Sequence, residues 1–121
     1  MKTYRDLLVW QKAIHFVTQV YRVVKMFPQE ELYGLTSQIK RSAVSIPSNI
    51  AEGYGRKSKK DYIRFLQIAM GSIFEIQPQL EISKNLEFIS GSSFSELYEK
   101  SREIERMLSS MINKISASNH P

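Results

Sequence analysis

The sequence has 121 residues but contains no cysteine and only two histidines, His15 and His120. Without cysteine there is no disulfide framework, thiolate nucleophile or cysteine-rich zinc site. The sequence also lacks the paired Glu-x-x-His motifs of di-iron bundles, the phosphate-binding P-loop and the nucleophile elbow of hydrolases. We therefore expect a protein that is not an enzyme and that uses no metal or other cofactor.

Long hydrophobic runs are absent as well. No stretch approaches the roughly 18 consecutive apolar residues that a membrane-spanning helix needs. Charges at Lys2, Arg5, Asp6 and Lys12 interrupt the first residues, which therefore lack the apolar centre of a signal peptide. The lack of cysteine fits a reducing compartment. We expect a cytoplasmic protein with no membrane partner.

Proline and glycine are scarce, with four and five residues, and no stretch alternates polar and apolar residues as a strand does. Instead, apolar residues recur at spacings of three and four, which is typical of amphipathic helices. We predict helices at approximately 5–26, 29–53, 58–86 and 93–116. Since 42% hydrophobic side chains suffice for one core, residues 1–121 are predicted to form one all-α domain, an antiparallel up-down four-helix bundle.

The same spacing predicts which side chains face the core. In the first helix the predicted inward stripe is Leu7, Trp10, Ile14, Val17, Tyr21 and Val24, widened by Ala13 and Val20. Other apolar residues lie outside the main stripes, where they either build contacts between subunits or broaden the core. These residues are Val9, Phe16, Val23, Ile63, Met70 and Phe74.

Capping signals set the predicted boundaries. Pro28 disfavours helical geometry at the residue before it, so it separates the first helix from the second. Ser58 is the predicted N-cap of the third helix, because Asp61 follows it by three positions. Ser93, followed by Glu96, is the predicted N-cap of the fourth helix on the same argument.

The charge of the chain is concentrated in one stretch. Gln38–Phe65 holds seven basic residues against two acidic ones, a local charge of +5 that equals the formal net charge of the whole chain. Basic side chains neutralise phosphates and release condensed counterions, so this stretch is a predicted nucleic-acid-binding site. Tyr54 and Tyr62 flank part of it and are candidates for stacking on unpaired bases. The basic residues are Lys40, Arg41, Arg56, Lys57, Lys59, Lys60 and Arg64.

A proline and several small residues lie within the second predicted helix. Pro47 removes the helical hydrogen bond to the carbonyl of Ala43. It either curves the helix around the core or aims Lys40 and Arg41 at a partner. The small residues either allow tight helix packing or form a polar contact site, and the sequence leaves both alternatives open. They are Ala43, Ser45, Ser48, Ala51 and Gly53.

Several motifs along the sequence belong together. They are Leu7–Ala13, Phe27-Pro28, Tyr33–Leu35, Ser37–Gly53 with its SIPSNIAEG string, Arg64–Ser72 and Glu75. Together they resemble the four-helix-bundle proteins encoded in intervening sequences of bacterial 23S ribosomal RNA genes, and the resemblance covers roughly residues 4–115. That family is similar to the accessory variability determinant of diversity-generating retroelements.

The resemblance implies a bundle that assembles into a homopentameric ring. In the retroelement branch, the pentamer has a basic surface that binds nucleic acid and docks a reverse transcriptase. Lys40 and Arg41 lie inside the matching motif, and the basic cluster from Arg56 to Arg64 extends it. After Glu75 the family tends to have leucine, glutamate and threonine, whereas this chain has Ile-Gln-Pro, so the third helix is expected to bend differently.

Two functions therefore fit the sequence. The first is a non-enzymatic, oligomeric bundle that binds RNA or DNA through the basic stretch. The alternative is a protein-interaction scaffold or accessory subunit, for example for a reverse transcriptase, without nucleic-acid binding of its own. Both depend on self-assembly, since a ring needs two contact surfaces on each subunit.

Overall fold

The computed structural model describes residues 2–118 and contains four α-helices. They are α1 (Leu8–Val24), α2 (Leu35–Tyr54), α3 (Lys59–Asn85) and α4 (Gly91–Ala117). Short 3-10 helices, Tyr4–Asp6 and Gln29–Glu31, precede α1 and α2, and the described residues contain no strand. The all-α prediction is confirmed. No helix in residues 2–118 is both long and apolar enough to cross a membrane.

One hydrophobic core receives side chains from all four helices. Phe16 of α1, Ile46 of α2, Ile73 of α3 and Leu108 of α4 are all fully buried. Burying a side chain of this size contributes roughly 1.5–3 kcal/mol relative to leaving it in water. The inward faces of the amphipathic helices therefore determine how the helices are placed around the core.

The buried face of α1 agrees only in part with the predicted one. Its buried residues are Val9, Ala13, Phe16, Val20 and Val24, of which Ala13, Val20 and Val24 were predicted. Ile14 and Tyr21, which were predicted to face inward, are 39% and 37% exposed. Val9 and Phe16 therefore belong to the core and not to a subunit contact. The prediction failed because α1 carries apolar residues on more than one face, and spacing alone does not identify the face that meets the core.

The second helix begins at Leu35, not at residue 29 as predicted. Gln29–Glu31 forms a separate 3-10 helix, and the chain leaves helical geometry at Gly34, where φ and ψ are both −113°. The Glu31 carboxylate accepts a hydrogen bond from the backbone N–H of Leu35 at 3.3 Å. Glu31 therefore lies before α2 and satisfies a free N–H at its start.

The first helix was also predicted too long at both ends, as 5–26 against the observed Leu8–Val24. Leu7 is extended, and the segment before it forms the 3-10 helix with Thr3 and Asp6 in a capping box. The backbone N–H groups of Lys2 and Thr3 donate to the Asp6 carboxylate, which lowers the pKa of that carboxyl below its usual range. A local cap therefore separates this segment from α1.

Serine caps also mark the starts of α3 and α4. The Ser58 hydroxyl accepts from the N–H of Asp61 at 3.1 Å, which confirms the predicted N-cap of α3. The N-cap of α4, however, is Ser90 and not Ser93: the Ser90 hydroxyl accepts from the N–H of Ser93 at 3.0 Å. Between α3 and α4 Glu87 has a positive φ of 62°, the left-handed conformation in which many helices end.

Small residues of α2 allow α3 to approach closely. A Cβ atom at Gly53 would lie 2.9 Å from the Cβ of Phe65, so this position accommodates only glycine without a shift. The Ser72 hydroxyl donates to the Ser45 hydroxyl at 2.8 Å. These contacts favour tight packing over a polar contact site as the role of the small residues.

Candidate nucleic-acid interface

An open cleft of about 320 Å³ lies where the end of α2, the start of α3 and the end of α4 meet. We call it the basic cleft. It is lined by Arg56, Lys57, Ser58, Lys59, Tyr62, Lys114, Ile115 and Ser118. Four of these residues are basic and none is acidic. The fold thus brings three of the predicted site residues onto one concave surface and adds a fourth cation from α4.

Lys59 is held by the protein itself. Its ammonium group donates to the backbone carbonyls of Ser118 at 2.8 Å and Ser116 at 3.4 Å. The last carbonyls of a helix lack intrahelical partners and carry the negative end of the helix dipole, so a lysine there is favourable. Lys59 therefore ties the start of α3 to the end of α4, while its charge still lines the basic cleft.

Arg56 and Arg64 are organised around one aromatic ring. Each guanidinium carbon lies 4.6 Å from the centroid of Phe65. Arg56 also pairs with Glu52 at 2.7 Å, and Arg64 lies 3.8 Å from Asp61. Both arginines remain exposed, so their charges face solvent in fixed positions.

Three lysines near the basic cleft have no such internal partner. Lys57, Lys60 and Lys114 are exposed and make no ion pair, side-chain hydrogen bond or ring contact within residues 2–118. Each can therefore meet an anion without breaking an existing contact.

Lys40 and Arg41 lie elsewhere. Arg41 precedes the end of α2 by 13 residues, which corresponds to about 20 Å along the helix axis. The Lys40 ammonium is half-buried and lies 5.1 Å from the centroid of the Tyr21 ring on α1, whereas Arg41 is exposed. The seven predicted basic residues therefore form two separate groups and not one continuous patch.

The two tyrosines beside the cleft pack on each other. The rings of Tyr54 and Tyr62 meet edge to face with centroids 6.3 Å apart, and both side chains are half-buried. Burial, assisted by the neighbouring Tyr54, raises the pKa of Tyr62 above its ordinary value. Their ring contact makes them part of the packing, and only Tyr62 lines the basic cleft.

The whole arrangement can be compared with known proteins. The sequence matches the family model of the 23S rRNA-intervening sequence protein over residues 5–110. The chain belongs to this family. No curated protein matches it. Among solved structures it is similar to a protein of unknown function from the S23 ribosomal protein family of Bacteroides thetaiotaomicron VPI-5482. The identity is 28%, the match covers 87% of this chain and 98% of that chain, and the TM-score is 0.82.

The 23S rRNA-intervening sequence family match includes all seven predicted basic residues, but it ends before Lys114. Sequence reasoning missed this lysine because only the fold brings the end of α4 beside the start of α3. Its one local signal was its place in the last turn of α4, where a cation suits the helix dipole. The described part of the chain has no group of three or more His, Cys, Asp or Glu side chains that could hold a metal ion.

Proposed function

We propose that this member of the family is a non-enzymatic, cytoplasmic protein that binds the backbone of RNA or DNA at the basic cleft. The observation that carries the proposal is a set of three cations without partners among the described residues. Lys57 and Lys114 line the basic cleft, and Lys60 follows Lys59 at the start of α3. Arg56 and Arg64 add fixed charges beside them. Lys40 and Arg41 are proposed as a second, separate contact on α2.

The expected binding mode is electrostatic. Each phosphate that a lysine or arginine neutralises releases condensed counterions, so affinity falls steeply as salt rises and depends little on base sequence. A monomer with a net charge of +5 presents few such contacts. Repeating the basic cleft in an oligomer would raise the apparent affinity through effective concentration, without any new contact.

We further propose an antiparallel up-down bundle that assembles into a homopentamer. Two contacts between α1 and α4 support the antiparallel order, because they follow the two helices in opposite directions: Lys12, earlier in α1, pairs with Glu103, whereas Gln19, later in α1, bonds to Glu96, which precedes Glu103 in α4. Exposed apolar side chains on α3, such as Ile68, Phe74 and Ile82, support a subunit contact. Light scattering tests the assembly: five times the monomer mass of 14.1 kDa is expected, and a strict monomer would contradict it.

Salt-titrated binding of fluorescent RNA and DNA tests the function. Reversing two charges in the Lys57→Glu/Lys60→Glu variant should reduce the salt slope by about 2 and weaken binding of every sequence tested. The matched control is Arg22→Glu/Lys25→Glu, which makes the same charge change at exposed residues near the end of α1. No binding of either polymer at about 50 mM salt, or equal losses in both variants, would overturn the proposal.

The alternative function is a protein-interaction scaffold or accessory subunit, for example for a reverse transcriptase. The same exposed side chains of α3 favour it, because Phe74 is 54% exposed on a helix that is otherwise packed against α2 and α4. If the chain assembles but binds no polynucleotide, this alternative is the one that remains. Substituting Phe74→Ser would then be expected to reduce assembly or partner binding.

A further inference from the structure

A second concave surface lies between the start of α1 and the second half of α4. This surface, the α1–α4 groove, has a volume of about 610 Å³, within the range of about 300–1,000 Å³ typical of ligand pockets. Its lining is largely apolar. It consists of Leu7, Leu8, Val9, Glu103, Arg106, Met107, Ser110, Met111 and Lys114.

The lining combines accessible apolar atoms with a cationic rim. Leu8 is 57% exposed, although most large aliphatic side chains of the protein are buried. Met107 and Met111 are half-buried beside it, and thioether sulfurs make favourable contacts with aromatic rings. Arg106 and Lys114 are exposed without an ion pair in the described part of the chain.

Only one carboxylate lines the groove, and it is already neutralised. Glu103 pairs with Lys12 at 3.3 Å. The groove therefore presents an apolar floor with a net positive rim. That combination fits a ligand with flat, weakly polar rings and an attached negative charge.

The α1–α4 groove and the basic cleft share one lining residue. Lys114, near the end of α4, lines both surfaces. A polyanion whose phosphates contact Lys57 and Lys114 therefore reaches the edge of the groove. Arg106 lies eight residues before Lys114 on the same helix, which corresponds to about 12 Å, and continues the row of cations along the groove.

We propose that the polynucleotide bound at the basic cleft is single-stranded and that it places an unpaired base in the α1–α4 groove. This inference rests on the proposed function and adds the class of ligand. A duplex stacks its bases inside the helix and presents only phosphates, sugars and base edges, whereas a single strand exposes the faces of its bases. An apolar groove beside a row of cations suits a strand with exposed base faces better than it suits a duplex.

Three fluorescent probes of about 12 nucleotides test the inference by anisotropy: a single strand, the same strand paired with its complement, and a strand of equal length with abasic positions. RNA and DNA versions of each probe are compared. The base-bearing single strand should bind about fivefold tighter than the abasic strand, which carries the same phosphates. It should also bind tighter than its own duplex.

Two variants with matched controls separate base contacts from phosphate contacts. Leu8→Ala should weaken single-strand binding about threefold without changing the salt slope, because it removes only apolar contact. Its control is Met26→Ala, at a residue that is 81% exposed near the end of α1. Lys114→Gln should instead lower the salt slope by about 1, with Lys25→Gln as its control. Thermal unfolding verifies that each variant is folded.

The outcomes distinguish the inference from the proposed function. Equal affinity for the single strand, the duplex and the abasic strand, with the salt dependence expected of phosphate contacts, would overturn the inference. The proposed function would then still stand. No binding of any probe would overturn both. A lower molar mass of Leu8→Ala in light scattering, with unchanged strand binding, would place a second copy of the chain in the groove and overturn the inference alone.

Discussion

The contact of α2 with α3 and the contact of α1 with α4 are built from different side chains. The α2–α3 contact includes small residues and short hydroxyl groups of α2, and the helices meet closely at Gly53 and Ser45. Between α1 and α4 lie long charged side chains, such as Lys12 and Glu103, and the methionines that line the α1–α4 groove. One contact is closely packed and the other leaves accessible space.

Within this small protein, the residues that pack the helices together therefore differ from the residues that are proposed to bind a ligand. The SIPSNIAEG string belongs to α2 and serves the close contact with α3. The cations that have no internal partner, Lys57, Lys60 and Lys114, lie at the edge of that contact or on α4. The most distinctive residues of the sequence therefore hold the fold together, while the proposed ligand surfaces use residues that are less distinctive.

The largest expected effect is at the closest point of the α2–α3 contact. Gly53→Val adds a side chain where a Cβ would already lie 2.9 Å from the Cβ of Phe65, and such overpacking should cost about 2–3 kcal/mol of unfolding free energy. Gly71→Ala is the control, since nothing lies within 4 Å of its Cβ position, and it should stabilise α3 by about 0.5–1 kcal/mol. Chemical denaturation measures both. Equal effects at the two glycines would contradict the close contact.

Double-mutant cycles compare the polar contacts of the two helix pairs. The Ser42 hydroxyl donates to the Glu75 carboxylate at 2.5 Å in a partly buried position, so Ser42→Ala and Glu75→Gln should show a coupling of about 1–1.5 kcal/mol. Lys12 and Glu103 pair at the surface at 3.3 Å, and their coupling should be only about 0.3 kcal/mol and vanish at high salt. A larger coupling for Lys12 with Glu103 than for Ser42 with Glu75 would contradict the difference between the two helix contacts.

A single buried hydroxyl offers a smaller test of α2. Thr36 is buried, and its hydroxyl oxygen has no hydrogen-bond partner among residues 2–118, in contrast to Ser42 on the same helix. Thr36→Val keeps the shape and removes the unsatisfied group, so stability should rise by about 0.5–1 kcal/mol. The same change at exposed Thr18, whose hydroxyl donates to the carbonyl of Ile14, should bring no gain. A loss at Thr36 in urea denaturation would show that this hydroxyl does have a partner in solution.

The comparison also explains how much could be predicted from the sequence. The four helices and the Ser58 cap follow from periodicity and local hydrogen bonding, which act over a few residues, and they were predicted correctly. The inward face of α1 was wrong in part. Ala13, Val20 and Val24 are buried as predicted, but Ile14 and Phe16 are both apolar and only packing against the other helices decides between them. Lys114 was missed for a related reason, since its place in the basic cleft depends on contacts between α3 and α4.

Tyr62 lies in the α2–α3 contact and also lines the basic cleft, and its substitution has the smallest expected effect. Its ring packs near Gly53 and against Tyr54, while its side chain lines the basic cleft. Burial raises its pKa, which means that ionising the phenol is harder in the folded chain than in the unfolded chain. The neutral phenol therefore contributes stability at pH 7, and this contribution is lost as the pH rises above the unfolded pKa of about 10. Tyr62→Phe should reduce the alkaline loss of stability in thermal melts, whereas Tyr33→Phe, at a residue that is 94% exposed, should not. If both variants keep the alkaline slope of the parent protein, the phenol of Tyr62 is accessible to water through the basic cleft. The close contact between α2 and α3 would then not extend to its ring.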